Sequence, residues 1–223
     1  MKSTTLRDIT DTDALLFRNA TWAFYDMFTD ALGERPSRVS FDGNTLKMSM
    51  TLCIEREGLK SFINELVGEM SRELHIPITR GGSSTLKLKR KKKGLEPDAC
   101  YWVANAKKRT GVKRLDLTIH PVPDLVLEID IPHATVNREQ IYADMGVPEM
   151  WHSAHATGLT ASTNHNAVWA RLGTSLAFPS VAVSKINSVV KRFKAGEDDG
   201  ALVLAFRKHL QTLVTRIMSR QKR

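Results

Sequence analysis

The chain has 223 residues, the length of one ordinary domain with an appended arm. Hydrophobic residues make up 42% and charged residues 26%, which suits a domain with a buried core, and no apolar run approaches the roughly 18–20 residues of a membrane helix. The 33 Lys and Arg exceed the 24 Asp and Glu and give a net charge of +9. Such a charge is typical of proteins that bind nucleic acid or an anionic surface, although many basic proteins bind neither specifically.

Two features of the sequence favour a cytoplasmic protein. The N-terminal residues 1–5 lack the apolar stretch of a secretory signal. Cys53 and Cys100 each lie within an apolar or strand-like run, so we expect buried free thiols rather than a disulfide.

Periodic apolar patterns predict the elements of the first third of the chain. Apolar residues at helical spacing predict helices over residues 13–32 and 55–75, the first ended by Gly33 and the second by Pro77. Between them, apolar and polar residues alternate on both sides of an Asp-Gly-Asn turn, which predicts a hairpin over residues 39–50.

Further along, an unbroken apolar run at residues 125–129 indicates a strand buried on both faces, as in the middle of an α/β sheet. A short helix is predicted to follow, with Asn137 as its N-cap and Gly146 at its end. The remaining predicted elements are strands around 76–79, 99–104 and 148–152, edge strands within 157–180, and two closing helices over 184–194 and 199–218.

Lys and Arg concentrate in two segments, residues 87–93 and 107–114. A run of this kind is most often a solvated, mobile loop. The alternative is contact with the phosphate backbone of a nucleic acid, because both segments flank strands that carry acidic residues. The predicted nucleic-acid contacts are Lys87, Lys89, Arg90, Lys91, Lys92, Lys93, Lys107, Lys108 and Arg109.

Acidic side chains interrupt two of the predicted strands. Asp98 begins one strand, and Glu128 lies inside the next, on a face shared with Asp130. If these strands pair antiparallel, Asp98 and Glu128 can converge on one cation, since an unpaired carboxylate in an apolar setting costs several kcal/mol. Oxygen ligands favour Mg²⁺ or Mn²⁺. The alternative is that these acids form ion pairs with nearby Lys and Arg.

Three blocks of sequence carry a resemblance to a known family. They are Glu-Pro-Asp-Ala-Cys-Tyr at 96–101, Pro-Asp-Leu-Val-Leu-Glu-Ile-Asp at 123–130, and Ile-Tyr-Ala-Asp-Met-Gly-Val-Pro-Glu-Met-Trp at 141–151. In their order and spacing they resemble the Uma-type restriction endonucleases of the PD-(D/E)XK nuclease superfamily. The resemblance spans residues 17–195 and implies a restriction-endonuclease-like α/β fold, with a central mixed sheet flanked by helices.

The resemblance also implies roles for individual residues. Asp98 becomes the acid of the Pro-Asp motif and Glu128 the acid of the (D/E)XK element, both as metal ligands. The third position of that element, normally Lys, is Asp130 here, and the basic residue of the following helix is Arg138. An Arg can hold a phosphate but cannot exchange protons as a Lys can. The first-helix acid of the superfamily falls at Glu57 by a looser match.

We therefore predict an endonuclease that uses Mg²⁺ or Mn²⁺ to hydrolyse phosphodiester bonds in DNA. Asp98, Glu128, Asp130, Arg138 and Glu57 are its candidate catalytic residues. The alternative is a catalytically degenerate DNA-binding or interaction module on the same scaffold, and it is motivated by Asp130 and Arg138 in place of the expected Lys. A basic protein that binds another protein is the third possibility.

The predicted organisation is a nuclease-like domain over residues 1–195, with its N-terminal helix and hairpin, followed by a basic C-terminal helix over 196–223 that packs on it or extends from it. A homodimer is left open. Many nucleases that cut both strands act as dimers, yet no heptad or exposed apolar stripe in the sequence argues for one.

Overall fold

The computed structural model describes residues 5–6, 14–33, 38–49, 54–112, 115–129, 136–154 and 158–221. Two six-stranded sheets form its framework. The predicted site residue Asp130 lies outside the described residues, as does Cys53, while Cys100 is a buried free thiol. Within the described ranges, none of the helices combines the length and apolar character that crossing a bilayer requires.

The first sheet is antiparallel throughout and has the strand order β1-β2-β4-β3-β7-β6. Its strands are β1 (Thr5–Leu6), β2 (Ala14–Arg18), β3 (Arg38–Phe41), β4 (Leu46–Ser49), β6 (Leu86–Leu88) and β7 (Lys93–Leu95). Helix α1 (Trp22–Leu32) packs against this sheet, where the Tyr25 and Phe41 rings stack with centroids 5.2 Å apart. Gly94 of β7 lies so close to Tyr25 that a Cβ there would meet the phenol oxygen at 2.2 Å.

The second sheet is mixed and has the strand order β12-β11-β10-β9-β8-β5. Its strands are β5 (Thr79–Gly82), β8 (Ala99–Trp102), β9 (Leu125–Ile129), β10 (Glu149–Ala154), β11 (Gly158–His165) and β12 (Val168–Arg171). Only the central pair of this sheet, β9 and β10, runs parallel, while its other neighbours are antiparallel.

Helices cover both faces of the second sheet. Three helices lie on one face and form the larger core with it: α2 (Ile54–Glu73), α5 (Val183–Lys194) and α6 (Asp199–Gln221). Helix α4 (Arg138–Met145) packs on the other face, and α3 (Ala106–Arg109) is a single turn beyond β8. Leu202, Phe206 and Leu210 of α6 belong to the same core as α2, so the basic C-terminal helix packs on the rest of the chain as far as it is described.

The structure confirms the predicted hairpin as β3 and β4, the helix over 55–75 as α2, and the short helix after Asn137 as α4. Asn137 accepts a hydrogen bond from the Gln140 backbone, and Gly146 ends α4 in the left-handed conformation. The strand at 125–129 is central and buried on both faces, as its apolar run indicates. The mixed α/β architecture is therefore the one predicted.

The prediction of one helix over residues 13–32 is wrong in its first part. Residues 14–18 form β2, which satisfies its backbone hydrogen bonds by pairing with β1 and β4. Asn19, at a φ of 55°, turns the chain, and the Thr21 hydroxyl caps α1 by accepting from the Phe24 backbone. Phe17 still packs on Phe24, with ring centroids 5.4 Å apart, which explains why the apolar spacing resembles one helix.

Three boundaries elsewhere also differ from the prediction. The basic run 87–93 is not a loop but a hairpin, since β6 and β7 flank a single turn of 3₁₀ helix at Lys89–Lys91. The strand predicted at 76–79 begins at Thr79, after His75 turns the chain at a φ of 54°. The first part of the second basic segment is the helical turn α3.

Between the two sheets the chain crosses directly. Strand β7 of the first sheet ends at Leu95, and β8 of the second sheet begins at Ala99. The crossing segment, Glu96-Pro97-Asp98, thus lies where the two sheets meet.

Candidate active site

Antiparallel pairing of β8 and β9 sets the two central carboxylates opposite each other. Ala99 faces Leu127 in this pairing, so the same register carried one residue further places Asp98 opposite Glu128. Both carboxylates are removed from solvent, with side-chain exposures of 6% for Asp98 and 0% for Glu128. The predicted convergence of this acidic pair is what the structure shows.

Arg38, the first residue of β3, lies between the two carboxylates. Its Nη2 atom is 2.5 Å from Asp98 Oδ2 and 2.9 Å from Glu128 Oε2. One positively charged nitrogen therefore contacts both members of the acidic pair. Arg38 comes from the first sheet, so the site joins side chains from both sheets.

Arg56, in the first turn of α2, approaches Asp98 from the other side. Its Nη2 atom donates to both Asp98 oxygens, at 2.9 and 3.1 Å, and to the Ile129 carbonyl at 2.7 Å. The Ile129 backbone N–H also donates to Asp98 Oδ2, at 2.7 Å. Asp98 is thus held by two guanidinium groups and one backbone amide.

Arg138 and Tyr142, one turn apart on α4, hold Glu128. Arg138 donates to Glu128 Oε1 from Nε at 3.0 Å and from Nη2 at 2.5 Å, and its Nη2 also donates to the Glu96 carbonyl at 2.6 Å. The Tyr142 hydroxyl donates a short hydrogen bond to the same Glu128 oxygen. Arg138 lies on the sheet-facing side of α4, as its spacing from Tyr142 predicts.

Burial and charge shift the pKa values of these groups. Burial, and then the facing Glu128 carboxylate, raise the pKa of Asp98 from its ordinary 3.8 to about 6, although Arg56 acts to lower it. Burial acts to lower the pKa of Arg138, but the charge and hydrogen bond of Glu128, together with Tyr142 and Asp98, hold this pKa above its ordinary value. Burial, followed by the charge of Glu128, raises the pKa of Tyr142.

Glu96, two residues before Asp98, fixes the crossing segment. Its carboxylate accepts from the Val39 backbone N–H at 3.2 Å and from the Thr85 hydroxyl at 2.9 Å. These bonds tie the segment to β3 beside Arg38. The Glu96 side chain therefore supports the site from the first sheet.

Of the predicted catalytic residues, Asp98, Glu128 and Arg138 come together. Glu57 does not join them in the part of the chain that is described: its half-exposed carboxylate lies 2.6 Å from Lys60 Nζ, one turn along α2. Its neighbour Arg56 points to Asp98 instead. The sequence gives no local signal for Arg38 or Arg56, because one begins an ordinary hairpin strand and the other follows Glu55 in an ordinary charged first turn.

Most of the predicted nucleic-acid contacts in the 87–93 hairpin pair with acidic side chains. Lys87 lies 2.6 Å from Asp26 and 3.0 Å from Asp30, while Lys91 and Lys93 both pair with Asp144, at 2.6 and 2.8 Å. Lys89 lies 3.7 Å from Asp116. The remaining exposed basic side chains of the predicted set are Arg90, Lys92, Lys107 and Lys108.

Arg109, the last predicted contact, is buried. Its guanidinium carbon lies 5.0 Å from the centre of the Trp102 ring, and its Nη1 donates to the Val112 carbonyl. A side chain held in this way stabilises the turn after β8. A phosphate cannot reach it without displacing these contacts.

The donor atoms at the acidic pair suit a hard divalent cation. Two carboxylates and the Ile129 carbonyl supply oxygen ligands of the kind that Mg²⁺ and Mn²⁺ prefer. All four carboxylate oxygens nevertheless accept hydrogen bonds, from three arginines, Tyr142 and the Ile129 amide. No group of three or more His, Cys, Asp or Glu in the described ranges is arranged to hold a metal ion.

The fold of this chain is similar to that of a solved protein structure. One solved structure, described as a "putative nuclease belonging to DUF820" from Anabaena variabilis, matches 77% of this chain and 99% of its own length. Its TM-score is 0.53 at 11% sequence identity, a likeness that concerns the fold. No curated protein matches the chain.

The model of the Uma2 family, described as "Putative restriction endonuclease", matches residues 24–170. The match covers more than half of the chain and includes Arg38, Arg56, Asp98, Glu128 and Arg138. The restriction-endonuclease-like resemblance of the three sequence blocks is thereby confirmed at the level of the family and the fold. The chain belongs to the Uma2 family.

Proposed function

We propose that this chain is a metal-dependent endonuclease that hydrolyses phosphodiester bonds in DNA. One observation carries the proposal: Asp98 and Glu128 converge on a single positively charged nitrogen, at 2.5 and 2.9 Å. Two buried carboxylates that share one cationic atom have the geometry needed to share a metal ion. The family and the nuclease fold support the same activity.

In this proposal Asp98 and Glu128 hold Mg²⁺ or Mn²⁺. When bound, such an ion supplies a Lewis acid for the phosphate and lowers the pKa of a coordinated water. Arg138 positions Glu128 and does not transfer protons, because a guanidinium keeps its charge at any ordinary pH. Arg56, whose side chain is 16% exposed, has the charge and the access to contact a phosphate oxygen.

The DNA substrate is proposed from charge. The net charge of +9 attracts a polyanion, and Arg90, Lys92, Lys107 and Lys108 offer exposed cations for backbone phosphates. The ion-paired lysines of the 87–93 hairpin contribute less, since a phosphate would have to compete with Asp26, Asp30 and Asp144 for them.

The test is cleavage of plasmid DNA with Mg²⁺, with Mn²⁺ and with a chelator. Wild-type protein should nick or linearise the plasmid only with metal, and Asp98→Asn and Glu128→Gln should abolish cleavage while keeping a folded circular-dichroism spectrum. Glu197→Gln, an exposed acid that pairs with Arg192 and lies outside both the site and the 87–93 hairpin, is the matched control and should cut like wild type. Equal cleavage by wild type and both site variants would reject the proposal.

A second function, DNA binding without catalysis, has an observation in its favour. Three guanidinium groups surround two carboxylates, and every carboxylate oxygen already accepts a hydrogen bond. A binding module should retain salt-dependent affinity for a labelled duplex in chelator and show no heat of Mn²⁺ binding. Mn²⁺ binding that Asp98→Asn removes would instead favour the nuclease.

A further inference from the structure

We propose that Arg38 is an internal counter-ion that competes with the divalent cation, so that the metal binds the acidic pair only when the Arg38 guanidinium leaves. This inference deepens the proposed function and rests on it. It assigns a metal-excluding role to a residue outside the three sequence blocks that define the site.

Arg38 and a divalent cation cannot both occupy the space between Asp98 and Glu128. Its Nη2 atom contacts Asp98 Oδ2 at 2.5 Å and Glu128 Oε2 at 2.9 Å. Mg²⁺ binds oxygens at about 2.0–2.1 Å, so an ion that used the same two oxygens would overlap this nitrogen. Two like charges at such a distance also repel strongly in a buried site.

Arg38 is also the arginine best placed to leave Glu128. Its bonds to described residues all come from Nη2, and its buried Nε has no hydrogen-bond partner among them. Arg138, by contrast, binds Glu128 through both Nε and Nη2 and also holds the Glu96 carbonyl. The Arg38 side chain is 19% exposed and that of Arg138 10%, so solvent reaches Arg38 more readily.

The balance of charge explains why Arg38 is needed in the absence of metal. Asp98 and Glu128 face each other across β8 and β9, and two like charges this close repel each other in a buried setting. Of the two carboxylates, Arg56 bonds only to Asp98 and Arg138 only to Glu128, so each neutralises one carboxylate from outside. Arg38 contacts both carboxylates and places a positive charge between them, as a bound metal ion would.

The experiment is calorimetric titration of Mn²⁺ into wild type and two Arg38 variants. Arg38→Met removes the charge and keeps an aliphatic chain, and it should bind Mn²⁺ about tenfold more tightly or better, because the competing cation is gone. Arg38→Lys keeps a cation at this position and should bind no more tightly than wild type. Arg192→Met removes a distant surface charge paired with Glu197 and should also match wild type, which controls for net charge.

The possible results separate this inference from the proposed function. If Arg38→Met binds Mn²⁺ no more tightly than wild type, while Asp98→Asn abolishes binding, the inference is overturned and the metal site stands. If neither wild type nor any variant binds Mn²⁺ and all are folded, both the inference about Arg38 and the proposed metal-dependent function are rejected. Tighter binding by Arg38→Met that disappears in the double variant with Asp98→Asn supports both.

A second measurement guards against a poorly folded Arg38→Met. Nitrogen-15 spectra of the arginine side chains, recorded on wild type, should show a large shift of the Arg38 signal on addition of Mg²⁺, while the signal of the distant Arg192 stays unchanged. Arg38→Lys identifies the resonance by its loss. An Arg38 signal that does not move at Mg²⁺ concentrations that saturate the site would overturn the inference.

Discussion

Two buried carboxylates in this protein, Asp98 and Glu69, both bind arginines, but their pKa values shift in opposite directions. At the acidic pair, Asp98 lies among arginines and its pKa is raised to about 6. On the other face of the second sheet, Glu69 of α2 accepts from Arg207 of α6 at 2.7 and 2.9 Å and from Arg72. Its hydrogen bonds to Arg207 are the largest cause of a pKa lowered from 4.5 to about 2.

The difference lies in burial and in the facing carboxylate rather than in the number of arginines. Glu69 binds two guanidinium groups that both reach solvent, with side-chain exposures of 40% for Arg207 and 56% for Arg72, and Arg207 also lies 3.7 Å from Glu73. Asp98 instead faces Glu128 in a buried setting, where removal from water and a second negative charge oppose its ionisation. The Glu69 cluster therefore favours the folded state, whereas the ionised Asp98 costs stability, as expected of a residue kept for function.

The largest effect on stability is expected from Glu128→Ala. This change leaves the Arg138 guanidinium, 10% exposed, without its carboxylate, and an unpaired buried charge of this kind costs about 3–5 kcal/mol. Urea unfolding measures the loss. Glu197→Ala, which breaks an exposed pair with Arg192, is the control and should cost far less, because exposed ion pairs contribute little to stability. Equal losses in the two variants would contradict the role given to Glu128.

Glu69→Gln should come second, with a loss of about 2 kcal/mol at neutral pH after allowance for the exposure of Arg72 and Arg207. The reason is the loss of the charged link between α2 and α6. The measurement is again urea unfolding. Arg207→Gln should also lose stability, and the double variant should lose less than the sum of the two single losses, because both changes remove the same interaction.

The ion pair between Glu69 and Arg207 should also make the stability of the protein depend on pH. Because folding lowers the pKa of Glu69 from 4.5 to about 2, its ionised form favours the folded state. This contribution is complete above pH 4.5 and is lost as pH falls towards 2. The stability difference between wild type and Glu69→Gln, measured at a series of pH values, should therefore shrink over this range. A difference that stays constant down to pH 2 would show that the charge of Glu69 plays no part.

The smallest effect is expected from Asp98→Asn, with a change of less than about 1 kcal/mol at neutral pH. The substitution removes a carboxylate whose ionised form the folded state disfavours, while the side-chain oxygen still accepts from Arg56 or Ile129. Unfolding measured beside Glu69→Gln gives the comparison directly. A loss as large as that of Glu69→Gln would mean that the two clusters do not differ in the way described.

Local patterns in the sequence mark single residues of the site, each from its immediate neighbours. Asp98 and Glu128 stand out as acids in apolar strands, and Arg138 follows from its helical spacing to Tyr142. Their convergence needed one further condition, antiparallel pairing, which the structure supplies. The family resemblance gave these residues their proposed roles.

Arg38 and Arg56 could not be predicted in this way. They lie 60 and 42 positions from Asp98 in sequence, and the first reaches it from a different sheet. Nothing in a short window distinguishes an arginine that will neutralise a buried acid from one that stays in solvent. The helix predicted over residues 13–32 failed for a related reason, since one pairing partner of β2 is β4, whose paired residues lie 29 to 35 positions further along the chain.

The location of Arg38 has a consequence for how the molecule opens. Its bonds to Asp98 and Glu128 join β3 of the first sheet to β8 and β9 of the second, beside the crossing segment. A local opening that separates the sheets would also uncover the acidic pair, so solvent access to the carboxylates and amide exchange in β3 should report the same fluctuation. A metal ion that replaced Arg38 would gain its ligands while weakening this junction, and its affinity would then include the free energy of partly undocking the first sheet.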